Sequence, residues 1–164
     1  MIRPILKYGD AVLHEKAQVV EAITPEIARL VDDMIHTMYA APGVGLAAPQ
    51  IGVGLRAFAV DVTGHRKARS CHGELVLFNP EVLLAHGPVV AREGCMSVPD
   101  LTGDVARATR LVVRGLTPDG TDRVLQVDAF EARAVLHELD HLDGVLFLDR
   151  VTSGDAVFRR KVYR

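Results

Sequence analysis

Near its end the chain carries the stretch Leu136-His137-Glu138-Leu139-Asp140-His141-Leu142-Asp143-Gly144. His137 and His141 stand four apart, with Glu138 between them. On a helix this spacing puts two imidazoles on one face as ligands for a zinc-type ion, with a carboxylate beside them to act as base. A catalytic metal site usually takes three protein ligands and leaves a position for water, so a third ligand must come from elsewhere. One class of His-Glu-x-x-His enzymes uses a glutamate well downstream, but no glutamate follows Glu138. Another extends the motif to His-x-x-Gly-x-x-His. Gly144 supplies its glycine, but Phe147 stands where the last histidine should be, and phenylalanine cannot bind a metal. Asp149 and Asp155 remain as carboxylate alternatives. Upstream, Cys95 follows Gly94 in Glu-Gly-Cys-Met-Ser-Val-Pro, between a strand and a proline turn. A cysteine after glycine on a tight segment can present its sulfur while the backbone stays close to a ligand. One soft thiolate with two neutral imidazoles leaves the fourth position for water.

The elements that must position these groups are also readable. Thr24 to about Ala41 has apolar residues at helical spacing, from Ile27 through Met38. Thr24 is its N-cap, Pro25 fits the first helical position, and Pro42-Gly43 ends the run. Gly43 to Gly54 is too rich in glycine for a regular element. Residues 56–62 and 74–87 have strand character, and residues 110–127 read as a hairpin turned at Pro118-Asp119-Gly120. A second helix starts at Asp128, where Asp128 and Glu131 have the spacing of a capping box, and Gly144 is its natural C-cap. Phe130, Ala134, His137 and His141 share one face of it. Apolar residues cover much of the rest, which places the helix inside the protein.

Three segments together resemble the peptide deformylase family: Gly43-Val-Gly-Leu-Ala-Ala-Pro-Gln50, Glu93-Gly-Cys-Met-Ser97 and His137-Glu-Leu-Asp-His-Leu-Asp-Gly144, in the family's order and at its spacing. The resemblance implies an α+β fold in which strands wrap a central helix that carries the His-Glu-x-x-His motif. It implies a metalloenzyme that removes the N-formyl group from the formyl-Met of new polypeptides and releases formate. It implies Cys95, His137 and His141 as metal ligands, Glu138 as the base, and Gln50 with the Met96 amide as oxyanion donors. Fe²⁺ is the implied native ion, with Zn²⁺ or Ni²⁺ as other occupants. Val44 and Gly45, flanked by glycine, have open backbone groups that could pair with an extended peptide, and Gly94 joins them as a substrate contact. The chain departs from the family at Leu136, usually Gln, at Ala129, often Gly, and at Met96, more commonly Leu.

Composition narrows the function classes. With 164 residues and 49% of them hydrophobic, one catalytic domain spanning 1–164 is expected. A formal charge of -2 gives no global basic field for DNA. No apolar run reaches the ~18 residues of a membrane span, and the N-terminus lacks a signal-type apolar core, so a cytoplasmic protein is expected. Cys71 and Cys95 then read as thiols, Cys71 in an exposed loop. His14, His36, His65, His72 and His86 read as surface or locally bonded residues. The tail Phe-Arg-Arg-Lys-Val-Tyr-Arg is basic, and weak ribosome contact is a corollary of a substrate that emerges from ribosomes. The residues alone also fit a broader metallo-amidase or peptidase, or a non-catalytic protein with a closed metal site. The closed site would need a fourth protein ligand and has no use for Glu138.

Overall fold

The computed structural model describes residues 1–160. Helix α1 spans Pro25–Ala40, with the Thr24 hydroxyl accepting from the Ile27 amide as expected. The glycine-rich segment is more regular than its composition suggests. Gly45–Ala47 forms a short strand, β1, followed by a 3-10 turn over Ala48–Ile51. Strand β2 is Ala57–Val60, and β1 pairs with it antiparallel, Gly45 opposite Val60 and Ala47 opposite Phe58.

Two long strands follow. β3 runs Leu75–Cys95 and β4 runs Val98–Leu116, so both exceed the segments that looked like strands in the sequence. β3 continues through Gly87, whose φ of 68° only glycine adopts freely. Cys95 therefore lies at the end of a strand, paired with Val98 across a turn at Met96-Ser97, and Pro99 falls within β4 rather than in the turn. Register shifts near Phe78, Val82 and Gly94 interrupt the β3–β4 ladder. Such irregularities bend strands. The Pro118-Asp119-Gly120 turn leads to β5, Asp122–Asp128, and the chain then enters α2, Ala129–Leu142. A last strand, β6 (Val157–Arg159), pairs with β4. The strand order is β1-β2-β3-β4-β5, all neighbours antiparallel, with β6 on β4.

Helix α2 contacts β1, β2, β4 and β5, the wrapped arrangement that the motifs imply. Val135, Leu139 and Leu142 meet Phe58, Leu77, Val113 and Leu125 in one buried cluster. A second cluster seats Met34 and Met38 of α1 against Leu46, Ile51 and Phe78. Both helices thus face the sheet with apolar stripes, and each buried Leu or Phe contributes roughly 1.5–3 kcal/mol of transfer free energy. No helix among the described residues is long and apolar enough to cross a membrane.

The start of α2 departs from the expected capping box. The Asp128 side chain makes no cap bond and accepts instead from the Ser70 hydroxyl. The buried Glu131 carboxylate turns to His72, taking its backbone amide and facing Nδ1, both at 2.7 Å. Ala129 enters the helix at φ 49°. This left-handed residue replaces the ordinary helix entry that a capping box requires. Gly144 keeps its terminal role at φ 74°, where a Cβ would collide with the backbone of His14 and Glu15.

A left-handed alanine costs roughly 1–2 kcal/mol relative to an unstrained conformation. Ala129→Gly should therefore raise the unfolding free energy by about 1 kcal/mol, read as a higher urea midpoint at unchanged slope. A lower midpoint would show that the methyl group contributes more than the strain it causes.

Candidate active site

Helix α2 delivers His137 and His141 one turn apart, and the end of β3 brings Cys95 to them. The ligand atoms of the three residues all lie within 4.8 Å of one another. Cys95 Sγ is 3.3 Å from His141 Nε2. Metal bonds of ~2.0–2.3 Å in a tetrahedron put ligand atoms roughly 3.3–3.8 Å apart, so one thiolate and two imidazoles at this separation fit a single ion. Burial, with the charges of His137 and Arg107, pushes the His141 imidazole well below its usual range, the direction that favours the neutral form a ligand needs. Burial acts the same way on His137, but its hydrogen bonds to Cys95 and Glu93 outweigh it and push that imidazole well above its usual range, a proton that a bound cation would displace. Among the described residues this is the cluster suited to a metal. Asp149, the carboxylate alternative, is instead bonded to the Leu146 amide.

His137 is oriented from behind. Its Nδ1 lies 2.5 Å from Glu93 Oε1, which leaves Nε2 for the cluster. Glu93 also receives Arg107 through two nitrogens, at 2.7 and 3.2 Å, and Arg133 at 3.0 Å. Arg107 reaches on to Asp140, which also holds Arg150. Burial would raise the Glu93 carboxyl, but the hydrogen bonds from His137 and Arg107 outweigh it and hold it well below the usual carboxylate range. The sequence reading gave these residues no role. Glu93 stood inside a quoted motif, whereas Arg107 and Arg133 carried no local signal.

Glu138 is 4% exposed, and its Oε1 has no hydrogen-bond partner among the described residues. Burial is the largest influence on it and pushes its carboxyl up to about 7. Gly45 makes room for it, since a Cβ there would run into the Glu138 carboxylate. Gln50 is fully buried and held at both ends. Its Oε1 accepts from the Ala47 amide at 2.9 Å, and its Nε2 lies 3.1 Å from Ser97 Oγ and 3.6 Å from Cys95 Sγ. The amide nitrogen is thereby aimed at the sulfur's side of the site.

These groups border a cavity of about 360 Å³. Val44, Gly45, Gln50, Gly94, Cys95, Met96, His137 and Glu138 line it, while His141 sits behind its wall. Eight of the nine residues singled out from sequence thus reach one space, and the ninth touches it through Cys95. The loop 61–73 was not foreseen there. His65, read only as a surface or locally bonded residue, stacks on Phe130 with ring centroids 4.0 Å apart and closes one wall. Cys71 is exposed, as expected.

Comparison with known proteins agrees with this geometry. The family model described as polypeptide deformylase matches residues 2–156. A peptide deformylase of Halothermothrix orenii is 46% identical over 147 residues, covering 90% of this chain and 92% of that protein. The crystal structure of peptide deformylase from Thermotoga maritima superposes with a TM-score of 0.85 at 34% identity, over 93% of this chain and 99% of that one. A Met-Ala-Ser-bound class I type b peptide deformylase from Acinetobacter baumannii gives the same TM-score of 0.85 at 34% identity, over 92% and 99%. The match extends over nearly the whole chain and includes all three motifs, and on that ground the chain belongs to the peptide deformylase family.

Proposed function

We propose that the cavity beside Cys95, His137 and His141 is where this enzyme hydrolyses the formamide of N-terminal formyl-Met on new polypeptides and releases formate. The observation that carries the reading is the meeting of the three ligand atoms with a buried, unpartnered Glu138 carboxylate at one cavity. Cys95, His137 and His141 would hold one divalent ion, with Fe²⁺ as the native occupant and Zn²⁺ or Ni²⁺ able to replace it, since thiolate and imidazole suit all three. When bound, that ion supplies Lewis acidity, bringing the pKa of water down toward ~7 and drawing charge from the formyl carbonyl.

The chain's own groups do the rest. Glu138, with a carboxyl pushed up to about 7, is matched to take the water's proton and hand it to the leaving amine. Gln50 Nε2 and the Met96 amide donate to the oxygen that gains charge, a contribution of ~2.7–4 kcal/mol per donor. Val44, Gly45 and Gly94 offer backbone to the extended peptide. Phe130, Ala134 and His65 form the apolar wall for the methionine side chain. In this reading residues 1–164 are one catalytic domain working in the cytoplasm, and the basic tail gives weak ribosome contact. Of that tail, residues 161–164 lie outside the described residues.

Glu138→Gln should retain one metal per chain yet lose turnover by 10²–10⁴-fold, about 3–5 kcal/mol in barrier. Anaerobic purification with metal analysis and a formate assay reads both quantities, and the native protein run alongside should hold iron. Near-normal turnover in metal-loaded Glu138→Gln would remove the base from the mechanism.

Formyl-Met-Ala-Ser should be cleaved and acetyl-Met-Ala-Ser spared. The formyl carbon bears only hydrogen, whereas a methyl must enter space bounded by Cys95, Gln50 and Met96. That costs ~1–3 kcal/mol, a factor of roughly 5–150 in kcat/KM. Equal rates would point to a broader amidase. For the tail, removing residues 161–164 should reduce co-sedimentation with ribosomes at low salt, and undiminished co-sedimentation would dismiss that contact.

A further inference from the structure

Resting on the reading of this cavity as the deformylation site, we infer that the enzyme favours polypeptides with acidic side chains just after formyl-Met, selected by a cationic rim of Arg66, Lys67 and Arg160. Five arginines and lysines line the cavity. Two are committed elsewhere. Arg92 pairs with Asp104 at 3.0 Å and lies over the Phe158 ring, and Arg133 is bonded to Glu93 and to the carbonyls of Val89 and Val105. Arg66, Lys67 and Arg160 are exposed, and among the described residues their side chains make no hydrogen bond or ion pair. The two carboxylates that line the cavity, Glu93 and Glu138, are both buried, and Glu93 is already paired. Among the described residues, the mouth therefore carries three positive charges without a paired carboxylate, on a chain whose formal net charge is -2.

Placement makes the charges relevant to substrate. His65 is pinned by its stack on Phe130 of α2, which holds the next two residues, Arg66 and Lys67, at the opening. The Arg160 guanidinium lies against Gly94, one residue before Cys95, so closely that a Cβ on Gly94 would meet it. A peptide whose formyl group reaches Cys95 and whose methionine fills the cavity must lead its next residues out over this rim. An extended chain advances ~3.3 Å per residue, which keeps the second and third residues within roughly 10 Å of the reacting carbon. Charges at that range interact over about one Debye length at physiological salt.

The test compares formyl-Met-Ala-Asp-amide, formyl-Met-Ala-Lys-amide and neutral formyl-Met-Ala-Ser-amide with the metal-loaded protein. At low salt kcat/KM for the Asp peptide should exceed that for the Lys peptide by about tenfold, the sum of several partly exposed ion pairs. The preference should shrink in ~1 M salt, where the Debye length is about 3 Å. It should invert in the triple variant Arg66→Glu, Lys67→Glu, Arg160→Glu. Equal values for the two charged peptides in the native protein, or a preference that survives both high salt and the charge reversals, would overturn the inference. Failure to release formate from the neutral peptide would instead strike down the deformylation reading itself.

Discussion

The Glu93 carboxylate, buried near the end of β3, is held from two other elements: by the guanidinium groups of Arg107 on β4 and Arg133 on α2, and by the imidazole Nδ1 of His137 on α2. Arg107 in turn grips Asp140 on α2. The network ties the register of the helix to that of the hairpin, and so fixes where the two histidines stand relative to Cys95. It also settles the chemistry of His137. With Nδ1 committed to Glu93, Nε2 is the nitrogen left to face the cluster, and a carboxylate behind an imidazole raises its strength as a ligand. Burying these charges is expensive, and a well-packed apolar cluster would serve stability as well or better. Removing one partner is costlier, at roughly 3–5 kcal/mol, because it strands the others. The network is thus better explained by the geometry it enforces than by the stability it adds.

The hairpin and the short β1 strand meet the same demand from the other side. β3 has to run to Cys95 and reverse within two residues, so that the sulfur arrives from the strand end while Ser97 turns its hydroxyl to Gln50. Gln50 is held by Ala47, the last residue of β1. β1 can lie so near α2 because Gly45 has no side chain to displace Glu138. Gly43 does the same for Met96, whose sulfur would lie 3.0 Å from a Cβ at that position. The glycines that made this stretch look irregular are what let a strand come so close to the catalytic helix.

This explains what the sequence could and could not convey. The His-Glu-x-x-His pair, the capped first helix and the Pro118-Asp119-Gly120 turn are signals carried within a few residues, and the structure repeats them. Cys95 becomes a candidate ligand only after downstream carboxylates and histidines are set aside, and the family resemblance strengthens it, because its partners lie more than forty residues away. Arg107 and Arg133 had no local pattern, since an arginine in a strand or helix most often faces water. The apparent capping box failed for a related reason. Asp128 and Glu131 have the right spacing, but tertiary partners, Ser70 and His72, took both carboxylates. The stack of His65 on Phe130 joins a polar loop to a helix face, and no periodicity announces such a contact.

On the proposed mechanism, the missing hydrogen bond at Glu138 Oε1 is part of the function. A buried polar atom without a partner typically costs ~1–3 kcal/mol, and among the described residues the side-chain atoms in this condition are Glu138 Oε1 and His141 Nδ1, both in the site. A donor placed against Glu138 would recover that energy and, by stabilising the charged form, lower the carboxyl's affinity for a proton. The base would then be too weak for its task near neutral pH, because proton transfer is most effective when the catalytic pKa lies near the working pH. Gly45, against the carboxylate, supplies no such donor from a side chain, and burial, set against the nearby charges of His137, Glu93, Arg107 and Asp140, carries the group to about 7. On the proposed mechanism, the burial that destabilises the carboxylate is also what matches it to act as a base near neutral pH.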